Sequence, residues 1–233
     1  MPTENEITNY YDDIYRRKGI AAMRTYGIYK ETFRYLGAVK KGGKILDDGC
    51  GTGYMMKAAI EAGLEAHGTD ISPEAIAVAR QAAPGAHLVV AKGEALPFAD
   101  GTFDYIVCGG SLEHFLDTDK GVEEMVRVAK DDAKFLIIVP NKKYWLWWWQ
   151  GKYGTKQSQM QEVLMDYVGW RSFFERHGLK VLDVRHDMWP RRSLKIFKSK
   201  NPIKILRRIF VHGLWFFMPL KYTYQFCFIM TKK

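Results

Sequence analysis

The chain has 233 residues, 47% hydrophobic and 26% charged, a length and balance that support one substantial core and exclude a disordered or fibrous protein. It contains no run of about 18 apolar residues, which excludes a membrane-spanning helix. The net charge of +9 is uneven: residues 188–233 hold eleven Lys or Arg and no Asp or Glu, so the basic excess points to a local anionic partner and not to a generally basic protein. The polar first eleven residues lack the apolar stretch of a signal peptide, and Cys50, Cys108 and Cys227 show no C-x-x-C spacing. A reduced, cytoplasmic chain is therefore expected.

Residues 4–37 read as one or two helices rich in Tyr and Arg. The first strand is expected at about 44–47 and runs into the most informative stretch of the chain, Asp47-Asp48-Gly49-Cys50-Gly51-Thr52-Gly53-Tyr54. Glycine tolerates positive φ and lets a ligand lie against the main chain, and a helix starting near Tyr54 aims its free N–H groups at that ligand. The spacing is G-x-G-x-G, whereas a dinucleotide turn reads G-x-G-x-x-G, and no G-x-x-x-x-G-K-[ST] run is present. The helix at about 54–62 ends at Gly63. A second strand, Glu65 to Thr69, ends at Asp70. Ser72 as N-cap with Pro73 behind it starts a helix at about 73–83. A third strand follows at about His87 to Ala91 and a fourth at Phe103 to Cys108. The next helix is expected at about 118–130, and the fifth strand, Lys134 to Val139, is a continuous apolar run of the kind covered on both faces.

This alternation implies an α/β protein with a mostly parallel sheet between two helical layers. Beyond Pro140 the pattern loosens. An aromatic segment at 144–153 holds four of the seven tryptophans, then come a helix at about 161–177 and a strand from Leu179 to Arg185. A basic insertion at 189–222 precedes a last strand, Thr223 to Thr231.

Asp70 closes the second strand 21 residues after Gly49. A carboxylate there can accept from both hydroxyls of a ribose, or can serve as a helix N-terminal acid favoured by the dipole. Asp47 either anchors the glycine loop or meets a cationic group on the ligand. The segment Lys92-Gly93-Glu94-Ala95-Leu96-Pro97-Phe98, with Asp100-Gly101-Thr102-Phe103-Asp104, forms a second motif, and Gly109-Gly110-Ser111-Leu112-Glu113-His114 forms a third at the carboxyl edge of the sheet, where ligands of open α/β sheets bind.

L-D-x-G-C-G-T-G and the two later motifs resemble the class I S-adenosylmethionine-dependent methyltransferases, over residues 40–141 and more weakly to about 187. The small-molecule branch that includes ubiquinone and menaquinone methyltransferases is the nearest likeness. The resemblance implies a Rossmann-like, doubly wound seven-stranded sheet ending in an antiparallel hairpin, S-adenosylmethionine as cofactor, and no metal; the sequence shows no His or Cys cluster at metal spacing. It also implies cofactor-binding roles for Asp47, Gly49, Gly51, Thr52, Gly53 and Tyr54. Asp70 would hold the ribose, Ile71 would cover the adenine, and Gly109 would approach the methionine moiety. Relatives carry an acid at the place of Lys92, so backbone groups at Lys92 and Gly93, or the Glu94 carboxylate, would read the adenine instead. His114 is a candidate general base, its unperturbed pKa of about 6.5 suiting a hydroxyl proton at neutral pH, or it fixes loop geometry. Tyr10, Tyr11 and Arg16 lie in a segment that in relatives folds over the cofactor.

The aromatic segment reads as a lid for an apolar acceptor or as a patch packed on the core. Residues 202–217 form a basic amphipathic pattern that suits a membrane surface, or a lid helix with a solvated basic face. The expectation is one domain over 1–233: a helical cap (1–40), a cofactor-binding core (41–141), an aromatic lid (142–160) and the basic insertion (189–222). It would methylate a small, apolar or lipid-linked acceptor, preferably at oxygen. The alternatives are a non-catalytic cofactor-binding scaffold and an RNA methyltransferase; nucleic acid is the less favoured partner because no nucleic-acid module is recognisable.

Overall fold

The computed structural model describes residues 2–145, 147, 162–187, 201–202, 205–206 and 219–233. The N-terminal helix α1 (Glu4–Lys18) starts at a capping box in which Thr3 and Glu6 satisfy each other's backbone amides, and it stops at Gly19 with φ +50°. Helix α2 (Tyr26–Phe33) follows, and then β1 (Lys44–Asp48). The expected alternation appears as α3 (Tyr54–Glu61), β2 (Glu65–Asp70), α4 (Pro73–Ala82), β3 (His87–Val90), β4 (Phe103–Gly109), α5 (Thr118–Val128) and β5 (Ala129–Pro140). Helix α6 (Tyr167–Arg176), β6 (Leu179–His186) and β7 (Gln225–Lys232) complete it.

The seven strands form one sheet in the order β3-β2-β1-β4-β5-β7-β6. The first five pair in parallel, and β7 runs antiparallel to both β5 and β6, as the expected closing hairpin requires. One face is covered by α5, α6 and the side chains of Phe103, Phe135 and Phe228, the other by α2, α3 and Leu136 and Ile138. Each face hides a separate apolar layer, which is why β5 carries no polar alternation in its central run. Trp170 is fully buried and donates from Nε1 to the Pro140 carbonyl at 2.9 Å, tying α6 to the end of β5.

Several boundaries differ from the sequence expectation. The helix expected from 161 starts at Tyr167, because Asp166 caps it by accepting from Gly169 N–H at 3.0 Å while Met165 pairs in extended form with Asn141. The helix expected to reach residue 130 ends at Val128, where Ala129 joins β5 opposite Phe103. The last strand starts at Gln225, since Leu220–Tyr222 close a 3-10 turn. Most of the aromatic segment and of the basic insertion lies outside the described residues, and so do the lid and membrane-surface expectations attached to them. Within what is described, Tyr144 and Trp147 pack edge-on against Tyr224, with ring centroids 5.1 and 6.1 Å away. Among the described residues no helix is long and apolar enough to cross a membrane.

Candidate active site

The carboxyl ends of β1, β2 and β4 converge on one cavity of about 930 Å³, open solvent at its mouth included. Its floor is the glycine turn. Gly49 N–H and Cys50 N–H both donate to the Thr69 carbonyl, at 2.9 and 2.8 Å, so the turn hangs from the end of β2. Asp70 completes the suspension: one carboxylate oxygen accepts from Gly51 N–H at 2.9 Å and the other from Ser72 N–H at 3.0 Å. The loop anchor is thus Asp70, not Asp47. The Asp47 side chain is buried against the cavity.

Gly49 lies at φ +74°, and a Cβ there would sit 2.4 Å from Ser111 Oγ. Gly93 is demanded by close approach alone: a Cβ would meet the Phe115 ring at 2.2 Å and Asp48 Oδ2 at 2.8 Å. Gly109 lines the cavity but has room for a Cβ.

The structure brings Asp47, Gly49, Gly51, Asp70, Ile71, Lys92, Gly93, Glu94, Gly109 and His114 to the cavity wall, as the sequence reading expects. It does not bring Thr52, Gly53 or Tyr54 there. Gly53 instead lets α3 approach α4, since a Cβ would lie 2.9 Å from Ala79 Cα. Tyr54 packs with Tyr26 and Tyr29. Thr52 is buried beneath the turn. Lys92 and Glu94 also make contacts away from the cavity. The Lys92 ammonium turns outward to Glu4 at 2.7 Å, leaving only its backbone side to the cavity. The Glu94 carboxylate is occupied by Leu116 N–H at 2.7 Å and Asp117 N–H at 3.3 Å, so it holds the loop after β4.

Sequence reading missed much of the roof. Tyr15, Met23 and Tyr29 join Tyr11 over the cavity, and Ile7 closes one side. The tyrosine-rich first helix was the available signal, but only the fold shows which rings face inward: Tyr10 packs edge-on against Tyr11 and does not line the cavity, and Arg16 pairs with Glu74 at 3.0 Å. Phe115 and Leu116 supply an apolar wall beside His114. His114 is buried, its ring 6.5 Å from that of Tyr11, and its Nε2 lies 4.0 Å from Glu113 Oε1.

The cavity is strongly acidic. Asp47, Asp48, Asp70 and Glu94 face it, and Lys92 is the sole Lys or Arg among the described lining residues. Burial, reinforced by the neighbouring carboxylates, pushes Asp47 up to about 8, and burial with Glu94 and Asp70 close by pushes Asp48 to about 7. Burial likewise raises Asp70 to about 6, against the pull of its two amide donors. Asp48 Oδ2 is buried with no hydrogen-bond partner among the described residues. Such a site rewards a cation. Groups whose pKa is raised on folding make the ligand-free protein lose stability as pH rises from about 4 through about 8, because the folded state holds protons that the unfolded chain has released. A cation in the cavity reverses that preference and drives the protons off. Titration at pH 7 in buffers of different ionisation enthalpy is therefore expected to show net proton release on binding a cationic ligand; uptake would contradict this electrostatic picture.

These residues fit S-adenosylmethionine in particular. Its sulfonium and ammonium are cations for the raised carboxylates, its ribose carries two hydroxyls for Asp70, and the glycine turn leaves no Cβ to hold it off the backbone.

A family model described as a methyltransferase domain matches residues 46–137. The chain is 31% identical over 130 residues to the ubiquinone/menaquinone biosynthesis C-methyltransferase of Geotalea uraniireducens, covering 50% of this chain and 54% of that protein. It spans about half the length of several curated relatives it matches. Among solved structures, a TehB-like S-adenosylmethionine-dependent methyltransferase from Corynebacterium glutamicum superposes with a TM-score of 0.60 at 21% identity, covering 97% of this chain and 98% of that one. Phosphoethanolamine N-methyltransferase 2 of Haemonchus contortus, solved with phosphomonomethylethanolamine and S-adenosylhomocysteine, gives 0.68 at 20% identity, covering 100% of this chain and 60% of that one. At these identities the structural likeness shows the fold.

Proposed function

We propose that the chain is a class I S-adenosylmethionine-dependent methyltransferase and that it transfers a methyl group to a small, apolar or lipid-linked acceptor, at oxygen in preference to nitrogen or carbon. The observation that carries the reading is the buried acidic cavity at the carboxyl edge of the sheet, lined by Asp47, Asp48 and Asp70, with Asp48 Oδ2 lacking a hydrogen-bond partner among the described residues. S-adenosylmethionine supplies an electrophilic methyl group on a sulfonium. Asp70 would hold the ribose, the Gly49–Gly51 turn would let the cofactor approach the backbone, and Asp47 and Asp48 would balance its positive charge. The Tyr11 and Tyr15 rings and Phe115 exclude water, which keeps the reaction from ending in hydrolysis. Burial pushes both phenols well above their ordinary pKa, so they remain neutral walls. The apolar side of the cavity, Ile7, Phe115 and Leu116, supports an acceptor of the same character.

His114 faces this cavity and takes the proton from the acceptor hydroxyl, the rest of the rate coming from placing the acceptor oxygen in line with the methyl. Burial raises Glu113 to about 7 against the opposing pull of His114. His114→Ala is expected to lower kcat about 100-fold while leaving cofactor affinity within about twofold. An unchanged kcat would restrict the site to placement alone. The reading itself is tested by calorimetric titration with S-adenosylmethionine and, separately, NAD, followed by transfer of labelled methyl to a panel of lipid-like phenols. Micromolar binding of the former alone is expected. Binding without transfer to any acceptor class would favour a cofactor-binding scaffold, and transfer to RNA would overturn the choice of acceptor.

A further inference from the structure

The sequence shows no metal cluster because its potential ligands lie 20 residues apart; pairing of the strands changes that. Glu65 and His67 are two residues apart on β2, so their side chains leave the same face of the sheet. His87 on β3 is the register partner of His67 across the parallel ladder. Their imidazoles stack with centroids 4.7 Å apart and planes 25° from parallel, and His67 Nε2 lies 2.8 Å from Glu65 Oε1. One ligand atom from each of the three lies within 4.8 Å of the others. Phe98 and Phe103 hold the His67 ring edge-on, with centroids 5.9 and 5.2 Å away, so one imidazole is fixed before any ion arrives. The other two side chains are exposed and can close in.

We propose that Glu65, His67 and His87 form a surface site for a divalent metal ion of the zinc type, clamping edge strand β3 to β2. Two imidazoles and one carboxylate are a donor set zinc accepts, at bonds of about 2.0–2.2 Å that place tetrahedral ligands about 3.3 Å apart, with a water in the fourth position. The Glu65–His67 spacing is already of that order, so the movement needed falls on exposed His87. The site sits toward the start of β2, whereas Asp70 ends that strand, about 10 Å beyond His67 at the usual rise per residue. The ion therefore has a structural role and takes no part at the cofactor cavity. The clamp has a use: β3 is only four residues long, is paired on one side, and buries little of its own surface. One feature opposes the ion. The Lys44 ammonium lies 3.6 Å from Glu65 Oε1 and competes for it.

The test is titration of tag-free protein with zinc chloride, repeated with cobalt(II) to read the visible absorption of four-coordinate metal. One-to-one binding in the micromolar range is expected. His87→Ala should weaken it at least about tenfold, and Lys44→Gln should strengthen it. Because His87 is exposed, its variant should fold; circular dichroism and unchanged S-adenosylmethionine affinity confirm that. Absence of one-to-one binding, or binding that folded His87→Ala retains in full, would overturn the proposal.

Discussion

Asp70→Ala is expected to abolish measurable S-adenosylmethionine binding, with a loss of about 100- to 10,000-fold. The carboxylate has two duties that fail together. Each of its oxygens already accepts one backbone amide, Gly51 N–H and Ser72 N–H, and each keeps a further lone pair for a ribose hydroxyl. Two charge-assisted hydrogen bonds to a ligand at about 1.5–3 kcal/mol each account for a loss of that size. Removing the side chain also leaves two amides at the turn without acceptors, costing about 1–3 kcal/mol for each that stays buried. Asp70→Asn separates the duties: it preserves shape but puts an N–H₂ group against one amide. It should therefore lose turn geometry and affinity with little change in packing. Calorimetric titration with a parallel urea melt measures both. Affinity of Asp70→Ala within about threefold of the parent would remove Asp70 from the cofactor site while leaving its anchoring role intact.

The second large effect is expected where sequence reading placed a ligand contact and the structure places a helix contact. Gly53 adopts φ +75°, and its missing Cβ is what lets the start of α3 rest on Ala79 of α4. Gly53→Val would force a β-branched residue into the left-handed region, at about 1–2 kcal/mol, and push its side chain into backbone that has no room to yield, at about 1–3 kcal/mol more. A total of about 2–5 kcal/mol is a large part of the stability of a domain this size. It should appear as a shifted urea midpoint, with cofactor affinity normal in whatever fraction remains folded. A stable Gly53→Val protein that fails to bind would instead return Gly53 to the ligand surface.

These two residues show what was legible in the chain and what was not. The alternation of strands and helices, the N-cap at Ser72 and the apolar run in β5 are local signals, and the structure reproduces them within a few residues. The glycine turn and Asp70 are equally local, because a strand end, a turn and a helix start are all written within one short segment. Sequence does not say which face of a turn meets the ligand and which meets the next helix, so Gly49 and Gly53 read alike although only the first lines the cavity. Lys92 illustrates the same limit: its position in the motif suggests an adenine contact, but its partner is Glu4, 88 residues away. The Glu65–His67–His87 cluster exists only through strand register, which no spacing rule along the chain reports.

The roof of the cavity has its own consequence. It belongs largely to α1, a helix far in sequence from the motifs below it, and that helix is pinned to the sheet layer at its two ends by the exposed pairs Glu4–Lys92 and Arg16–Glu74. Exposed pairs of this kind hold with about 0–1 kcal/mol each and are screened by salt. Between them only Ile7 and Tyr15 are fully sunk into the protein. Added salt is therefore expected to loosen the hold of these end pairs on the helix that covers the chamber.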